Sequence, residues 1–516
     1  MLKGSRIGLS VFLNWIALAI SVVVAFFLSP FVVHHLGNVA YGVWTLVISM
    51  TAYMGLLDLG LRGAVTRFVA KHHARGEHEE SSRAFSAALW FRAWIGLLIV
   101  LTSLGLSRAA THIFHIPPEM QVATSWAITI AGTSFAVTLT VGVFSGVLAA
   151  LNRFDLISAV TIGQTGLRAL GIVWLLKSGY GIAELAAWEL IVVVLANASL
   201  IILSLRAYPQ LQVLFSRPDS AMLWQLWGYS IYVLLINICA QMVYYTDNIV
   251  VGVLISAGAV TFFTIAGSLL EYARQIVAAL GTVLLPLASS LDARGQDTEL
   301  RSLLIQGTRA TLLISLPIQV ALFFHGHTFI ALWMGEDYAN VSARLIQILL
   351  VAHVFAIANY TSYNIVFGLA KHKPVALIST VEAAANLLLS IFLVRKIGLE
   401  GVAWGTAIPS LGIQLLFWPR YICKTLEMPV RQYVWQAWIR SGLAVVPFGI
   451  ACYFSNNAWA PRSLLQFFTQ MSLLFPVLVL GVVLSFSKEI AVQLRSQPNW
   501  FVRRWDAALQ FVRKAS

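Results

Sequence analysis

Long apolar runs alternate with short basic segments from Ile7 to Phe486. A run of about 20 apolar residues crosses the hydrocarbon core as a helix. The pattern predicts about fourteen of them: 7–33, 39–60, 84–107, 121–150, 156–177, 182–205, 222–254, 260–290, 302–325, 344–370, 374–394, 401–419, 435–454 and 463–486. The longest connections, 61–83, 206–221 and 326–343, read as loops too short for an extramembrane domain. The expected class is an all-α membrane protein. Beyond Phe486, Phe501, Trp505, Ala508, Leu509 and Val512 share one helical face, with Arg503, Arg504, Arg513 and Lys514 elsewhere. That tail reads as an amphipathic helix on an anionic lipid surface.

Composition agrees: 59% of the 516 residues are apolar, 11% are charged, and mean hydropathy is +0.81. A soluble domain uses about a quarter charged residues. The net charge of +13 would point to nucleic acid in a soluble protein. Here it follows the positive-inside rule, and no nucleic-acid partner is expected. With the N-terminus in the cytoplasm, 23 of the 34 Lys and Arg fall in cytoplasmic segments. Only Arg108, Lys177, Arg395, Lys396 and Arg462 fall outside, so both termini are expected in the cytoplasm. Cys239, Cys423 and Cys452 show no metal spacing and read as apolar fillers.

The two halves echo each other. The stretch from Gly146 to Val160, with Asn152 and Arg153 at its turn, resembles that from Gly368 to Val381. Gly181 to Trp188 resembles Gly398 to Trp404, and Ala74-Arg75-Gly76 parallels Ala293-Arg294-Gly295. Three echoes in one order predict a parallel repeat of two six-helix lobes, with a site where the halves meet. The expected parts are an N-lobe (1–215, helices 1–6), a C-lobe (216–425, helices 7–12), two appended helices (426–486, helices 13–14) and a basic amphipathic tail (487–516).

Pro30, Leu36-Gly37, Tyr41-Gly42-Val43-Trp44 and Leu57-Asp58-Leu59-Gly60-Leu61 resemble the first two helices of the bacterial polysaccharide transporter family. These are Wzx-like oligosaccharide flippases of the multidrug/oligosaccharidyl-lipid/polysaccharide superfamily, which also contains MurJ and MATE. Asp247 to Gly252, Val260 to Ala266 and Leu285-Pro286-Leu287-Ala288-Ser289 continue the resemblance over about residues 6–425. It implies a fourteen-helix flippase of the inner membrane that moves a polyprenyl-pyrophosphate-linked oligosaccharide by alternating access through a central cavity. It also implies membrane lipids, a polymerase and other polysaccharide-assembly proteins as partners. A MATE-like antiporter, a membrane polymerase or ligase of the same pathway, and a non-transporting scaffold are the alternative readings. Short outer loops weigh against the enzyme.

A diphosphate headgroup calls for cations, and Arg pairs phosphate oxygens in a bidentate way. Arg274 is the leading candidate, mid-span, with Glu271 three residues earlier on the same helical face. Arg168, with Gln164 one turn before it, Arg92 and Arg62 complete the cationic set. Asp247 and Asn248, deep in the seventh span, are candidates for ion coupling or gating. Glu271, Asp58, Glu382 and Asn386 belong to the same set. The eleven His show no ligand arrangement, and no phosphate-binding Gly-rich loop with Lys appears. Neither a metal centre, an ATP site nor another cofactor is expected. An H+ or Na+ gradient, or the membrane potential, is the expected energy source.

Overall fold

The computed structural model describes residues 2–58, 61–114, 116–214 and 231–496, and every regular element among them is helical. The helices are α1 (Leu2–Leu36), α2 (Asn38–Met54), α3 (Leu61–Ala74), α4 (His78–Ile113), α5 (Pro118–Ala150), α6 (Phe154–Lys177) and α7 (Ile182–Ala207). They continue as α8 (Ile231–Leu254), α9 (Ala257–Ala293), α10 (Asp297–Met334), α11 (Glu336–Ala358), α12 (Tyr360–Gly368), α13 (Lys373–Ile397) and α14 (Leu399–Thr425). A short α15 (Val430–Tyr433) leads through a π-turn (Val434–Ile439) into α16 (Arg440–Ala458), and α17 (Leu464–Ser496) follows. Among the described residues, twelve spans are long and apolar enough to cross a membrane. Ala257–Ala278 with Val283–Ala293, bent by 41°, makes a thirteenth. The expected span 401–419 is helical too, inside α14, but is not one of those thirteen. The protein is a multi-pass membrane protein. The amphipathic tail expected over 501–512 lies outside the described residues.

The described residues form two compact units: those up to Gln241 with Ser256–Thr261, and Met242–Ile255 with those from Phe262 onward. In the first unit, the expected loop 61–83 is largely helix. In α3, Arg67 and Lys71 are exposed while Val65 and Val69 pack against Phe85, Val143 and Phe144. Apolar residues one turn apart inside a basic stretch make an amphipathic helix, which a hydropathy average reads as a loop. The segment 208–214 turns at Pro209 and Gln210, where Leu211 N–H donates to the Tyr208 carbonyl (3.1 Å), and then runs along α4. Gln212 N–H donates to Ser82 Oγ (3.0 Å), Leu214 N–H to Ser86 Oγ (2.8 Å), and Trp90 Nε1 to the Leu214 carbonyl (3.2 Å). Side chains four residues apart on the helix thus satisfy backbone groups of a segment outside any helix. The expected loop 326–343 is also helical, because α10 and α11 are separated by Gly335 alone, at φ 109°.

Close approach needs glycine at Gly42, where a Cβ would lie 1.8 Å from the Ala257 carbonyl oxygen. Beside it Thr261 Oγ1 donates to the Asn38 carbonyl (2.7 Å).

The sequence echoes recur as backbone geometry. Gly76 and Gly295 have φ 72° and 65°, and in each turn the next residue's N–H reaches the carbonyl five positions back: Glu77 to His72 (2.9 Å), Gln296 to Leu291 (3.0 Å). Asn152 and Ala370 take φ 56° and 53°, followed by Arg153 N–H to the Leu148 carbonyl (2.8 Å) and Lys371 N–H to the Val366 carbonyl (3.0 Å). Both are left-handed helix ends that satisfy orphan carbonyls.

A charged clasp fixes the end of α17 on the second unit. Glu489 accepts from Arg309 Nη1 (2.7 Å) and from Arg440 Nη1, and the Phe486 ring lies 5.0 Å and 4.8 Å from the two guanidinium carbons. Arg309 Nε also donates to the Gln436 carbonyl of the π-turn (2.8 Å). Burial raises the Glu489 pKa, but the two arginines outweigh it and hold the carboxyl below its ordinary 4.5. A depressed carboxyl stabilises the fold above its unfolded pKa and loses that contribution as pH falls through the folded value. Glu489→Gln is therefore expected to speed backbone hydrogen exchange over 480–489 at neutral pH. Acidification below the ordinary carboxylate range should do the same to the unsubstituted protein.

Candidate functional site

Two polar clusters lie on the spanning helices of the second unit. On α9, Arg274 donates through Nε to Glu271 Oε2 (2.7 Å) and through Nη2 to Glu271 Oε1 (2.6 Å), a bidentate pair. Gln275 Nε2 donates to the same Oε1 (3.0 Å). The Arg274 guanidinium lies over the Tyr244 ring of α8, 5.4 Å from its centroid. Each partner of the pair keeps about a third of its side chain accessible (33%), so the charge is compensated without being sealed. His353 of α11 lies in electrostatic range of both, and its Nδ1 contacts Gln319 Oε1 (3.3 Å). An Arg at mid-bilayer costs at least ~2.5 kcal/mol on insertion scales, which is why it carries its carboxylate with it.

The second cluster is buried. Asp247 of α8, 3% exposed, accepts from Thr406 Oγ1 of α14 (2.5 Å). The same hydroxyl accepts from Asn386 Nδ2 of α13 (2.8 Å). Ser390, one turn along α13, also lies in hydrogen-bond reach of the carboxylate. No Lys, Arg or His forms an ion pair with Asp247 among the described residues. Asp247 Oδ1 and Asn386 Oδ1 are both buried and accept no hydrogen bond. Two orphan acceptor oxygens beside two hydroxyls make a donor set for a proton or a small hard monovalent cation. No group of three or more His, Cys, Asp and Glu suited to a metal occurs among the described residues. Close helix packing sets this geometry: a Cβ on Gly405 would lie 2.3 Å from Ser390 Oγ.

The two clusters share α8, since Tyr244 and Asp247 are three residues apart. Glu382, one turn before Asn386, stands outside the buried cluster and pairs with Ser410 of α14. Asn248 follows Asp247 on α8. Tyr244, Gln275, Ser390 and Thr406 were not among the sequence candidates. Thr406 had a signal only in hindsight, as a hydroxyl after the close-packing Gly405.

The profile of a family described as polysaccharide biosynthesis protein matches residues 32–343, more than half of the chain. The chain belongs to that family. Among curated relatives it is similar to a protein of Shigella flexneri named as an O-antigen transporter (22% identity, 76% of this chain and 91% of the relative). It is equally similar to the membrane protein EpsK of Bacillus subtilis strain 168 (22% identity, 92% of each chain). Among solved structures, the lipid II flippase MurJ in an inward closed conformation matches with a TM-score of 0.72 at 15% identity. That match covers 93% of this chain and 99% of MurJ. An inward-facing multidrug resistance MATE transporter of the MOP superfamily matches with 0.67 at 13%, over 79% and 95%. The fold is the one these two transporters share.

Within this family member, the remaining candidates are dispersed. In the first unit Arg168 of α6 is paired in bidentate fashion with Glu189 of α7: Nε donates to Oε2 (2.7 Å) and Nη2 to Oε1. Gln164 stands one turn before Arg168. Arg92 is 2% exposed between α4 and α5, and its Nη1 donates to the Leu139 carbonyl (2.8 Å). A guanidinium buried against a carbonyl between two helices ties them together. The side chains of Asp58 and Arg62 lie outside the described residues.

Removing one partner of the Arg168–Glu189 pair leaves a charge in an apolar span. Arg168→Gln should lower the melting temperature in detergent by the equivalent of ~1 kcal/mol, the partly exposed sites keeping the cost small. Adding Glu189→Gln should restore most of it.

Proposed function

We propose that the protein is a flippase of the bacterial inner membrane. It moves an oligosaccharide linked to polyprenyl pyrophosphate, such as an O-antigen, capsule or exopolysaccharide repeat unit, from the cytoplasmic to the outer leaflet by alternating access. The product then passes to the polymerase and other assembly proteins. Family membership and the printed names of its relatives support this reading. The observation that carries it is Arg274, a cation held in a spanning helix by an internal carboxylate and an aromatic face.

In this reading the diphosphate takes the place of Glu271 at the guanidinium fork. The exchange trades one bidentate anion for another, so the cation is at no stage left uncompensated in a low-dielectric setting. Glu271 keeps Gln275 as a donor when it lets go. One turn along α8, Asp247 takes up a proton or a sodium ion, and the shared helix links cation occupancy to the headgroup site. A cationic drug would meet like charge at Arg274, which disfavours the antiporter reading.

The test is flipping of a fluorescent polyprenyl-pyrophosphate oligosaccharide in proteoliposomes, read as exposure of the sugar to an outside reagent. Arg274→Ala should cut the rate roughly 10- to 100-fold, the loss expected for a charge-assisted contact of ~1.5–3 kcal/mol. Unchanged flipping by the variant would remove Arg274 from the mechanism, and no flipping by the intact protein across a range of glycans would overturn the reading. Asp247→Asn should keep the rate measured without a gradient and lose its acceleration by an imposed H+ or Na+ gradient. Acceleration that survives the substitution would place coupling elsewhere.

A further inference from the structure

A trough opens on the second unit, and none of the residues of the two clusters lines it. Its floor is α10, one wall is α11 with α14, and the other wall is the π-turn with the start of α16. The cavity has a volume of about 690 Å³ and is lined by apolar side chains such as Leu316, Phe355, Leu416, Val434 and Ile439. It continues past Leu316 and Gly442 into a second apolar hollow of about 570 Å³. Two features of the chain hold the trough open. The π-turn widens the helix just before α16. Gly442 then presents no side chain, and a Cβ there would meet no atom within 4 Å.

One charge lines this apolar surface. Arg420 of α14 borders the trough, is exposed, and donates through Nη1 to the Leu416 carbonyl (2.7 Å). No carboxylate pairs with it among the described residues, unlike Arg168, Arg274, Arg309, Arg344 and Arg440. It stands five residues from the end of α14, about 7 Å by helical rise. Its side chain is long enough to hold its head at the headgroup level of the leaflet that the charge pattern assigns to the cytoplasm. From Val430 to Gly442 the trough wall measures about 18 Å by the same rise, against ~15 Å for one leaflet of the hydrocarbon core.

We infer that this trough is a binding site for an anionic glycerophospholipid of the cytoplasmic leaflet, its phosphate on Arg420 and one acyl chain along the apolar lining. Depth and charge fit that occupant together. A translocated diphosphate held at Arg274 leaves Arg420 without an anion, so the carrier lipid does not account for this cation. The occupant is a resident lipid that fills the gap between α16 and the rest of the unit.

The test uses the full-length protein, delipidated in detergent and titrated with phosphatidylglycerol or phosphatidylethanolamine of matched chains, with bound lipid counted by native mass spectrometry. At least a fivefold preference for phosphatidylglycerol is expected. Arg420→Gln should abolish the preference, and Gly442→Leu, which fills the slot, should weaken binding of both lipids. Arg206→Gln, which removes an exposed cation of the other unit, should change neither. Melting temperatures without lipid show whether each variant is folded. Equal binding of the two headgroups, a preference unchanged in Arg420→Gln, or displacement of phosphatidylglycerol by equimolar polyprenyl diphosphate would each overturn the assignment.

Discussion

The structure depends on one constraint: hydrocarbon offers no water to an unsatisfied polar group, so every such group must find its partner within the protein. Helices answer the constraint for the backbone. The side chains answer it individually, and each answer is local. Arg274 brings Glu271 from its own helix, Arg168 takes Glu189 from the neighbouring one, and Arg92 finds a carbonyl. Arg309 and Arg440 share Glu489. The chain places its spanning cations almost wholly in such compensated settings. The buried Asp247 is the opposite case, a carboxylate held only by neutral groups.

The helices were legible in the sequence because hydropathy over twenty residues reports the solvent, and the solvent here is lipid. What escaped was structure whose cause lies outside that window. The amphipathic α3 averages to a polar stretch, although Val65 and Val69 are buried in the core of the first unit. The 208–214 segment is held by Ser82, Ser86 and Trp90, more than a hundred residues earlier. The expected outer loop 326–343 vanished because one glycine at positive φ suffices to turn the chain between α10 and α11.

The same division runs through the candidate site. Arg274 with Glu271 could be read from sequence because three residues on a helix guarantee proximity. Arg168 with Glu189 could not, since it depends on how α6 and α7 pack. Asp247, Asn386 and Thr406 come from three different helices, and their meeting is set by small residues, Ser390 and Gly405, that let α13 and α14 close together. The duplicated turns were visible because a left-handed backbone leaves its mark on composition at Gly76 and Gly295. They were fainter where Ala370 adopts the same φ with no such mark.

The three cysteines give the protein a property unrelated to transport. Cys239, Cys423 and Cys452 are all buried, none more than 3% exposed. A thiol must be reached before it can react, and these sulfurs are buried in the packed interior. The folded chain therefore offers no thiol at either membrane surface to oxidants or alkylating agents. Sulfur reactivity returns only when helices separate, which makes the native thiols silent in the intact protein and informative about its unfolding.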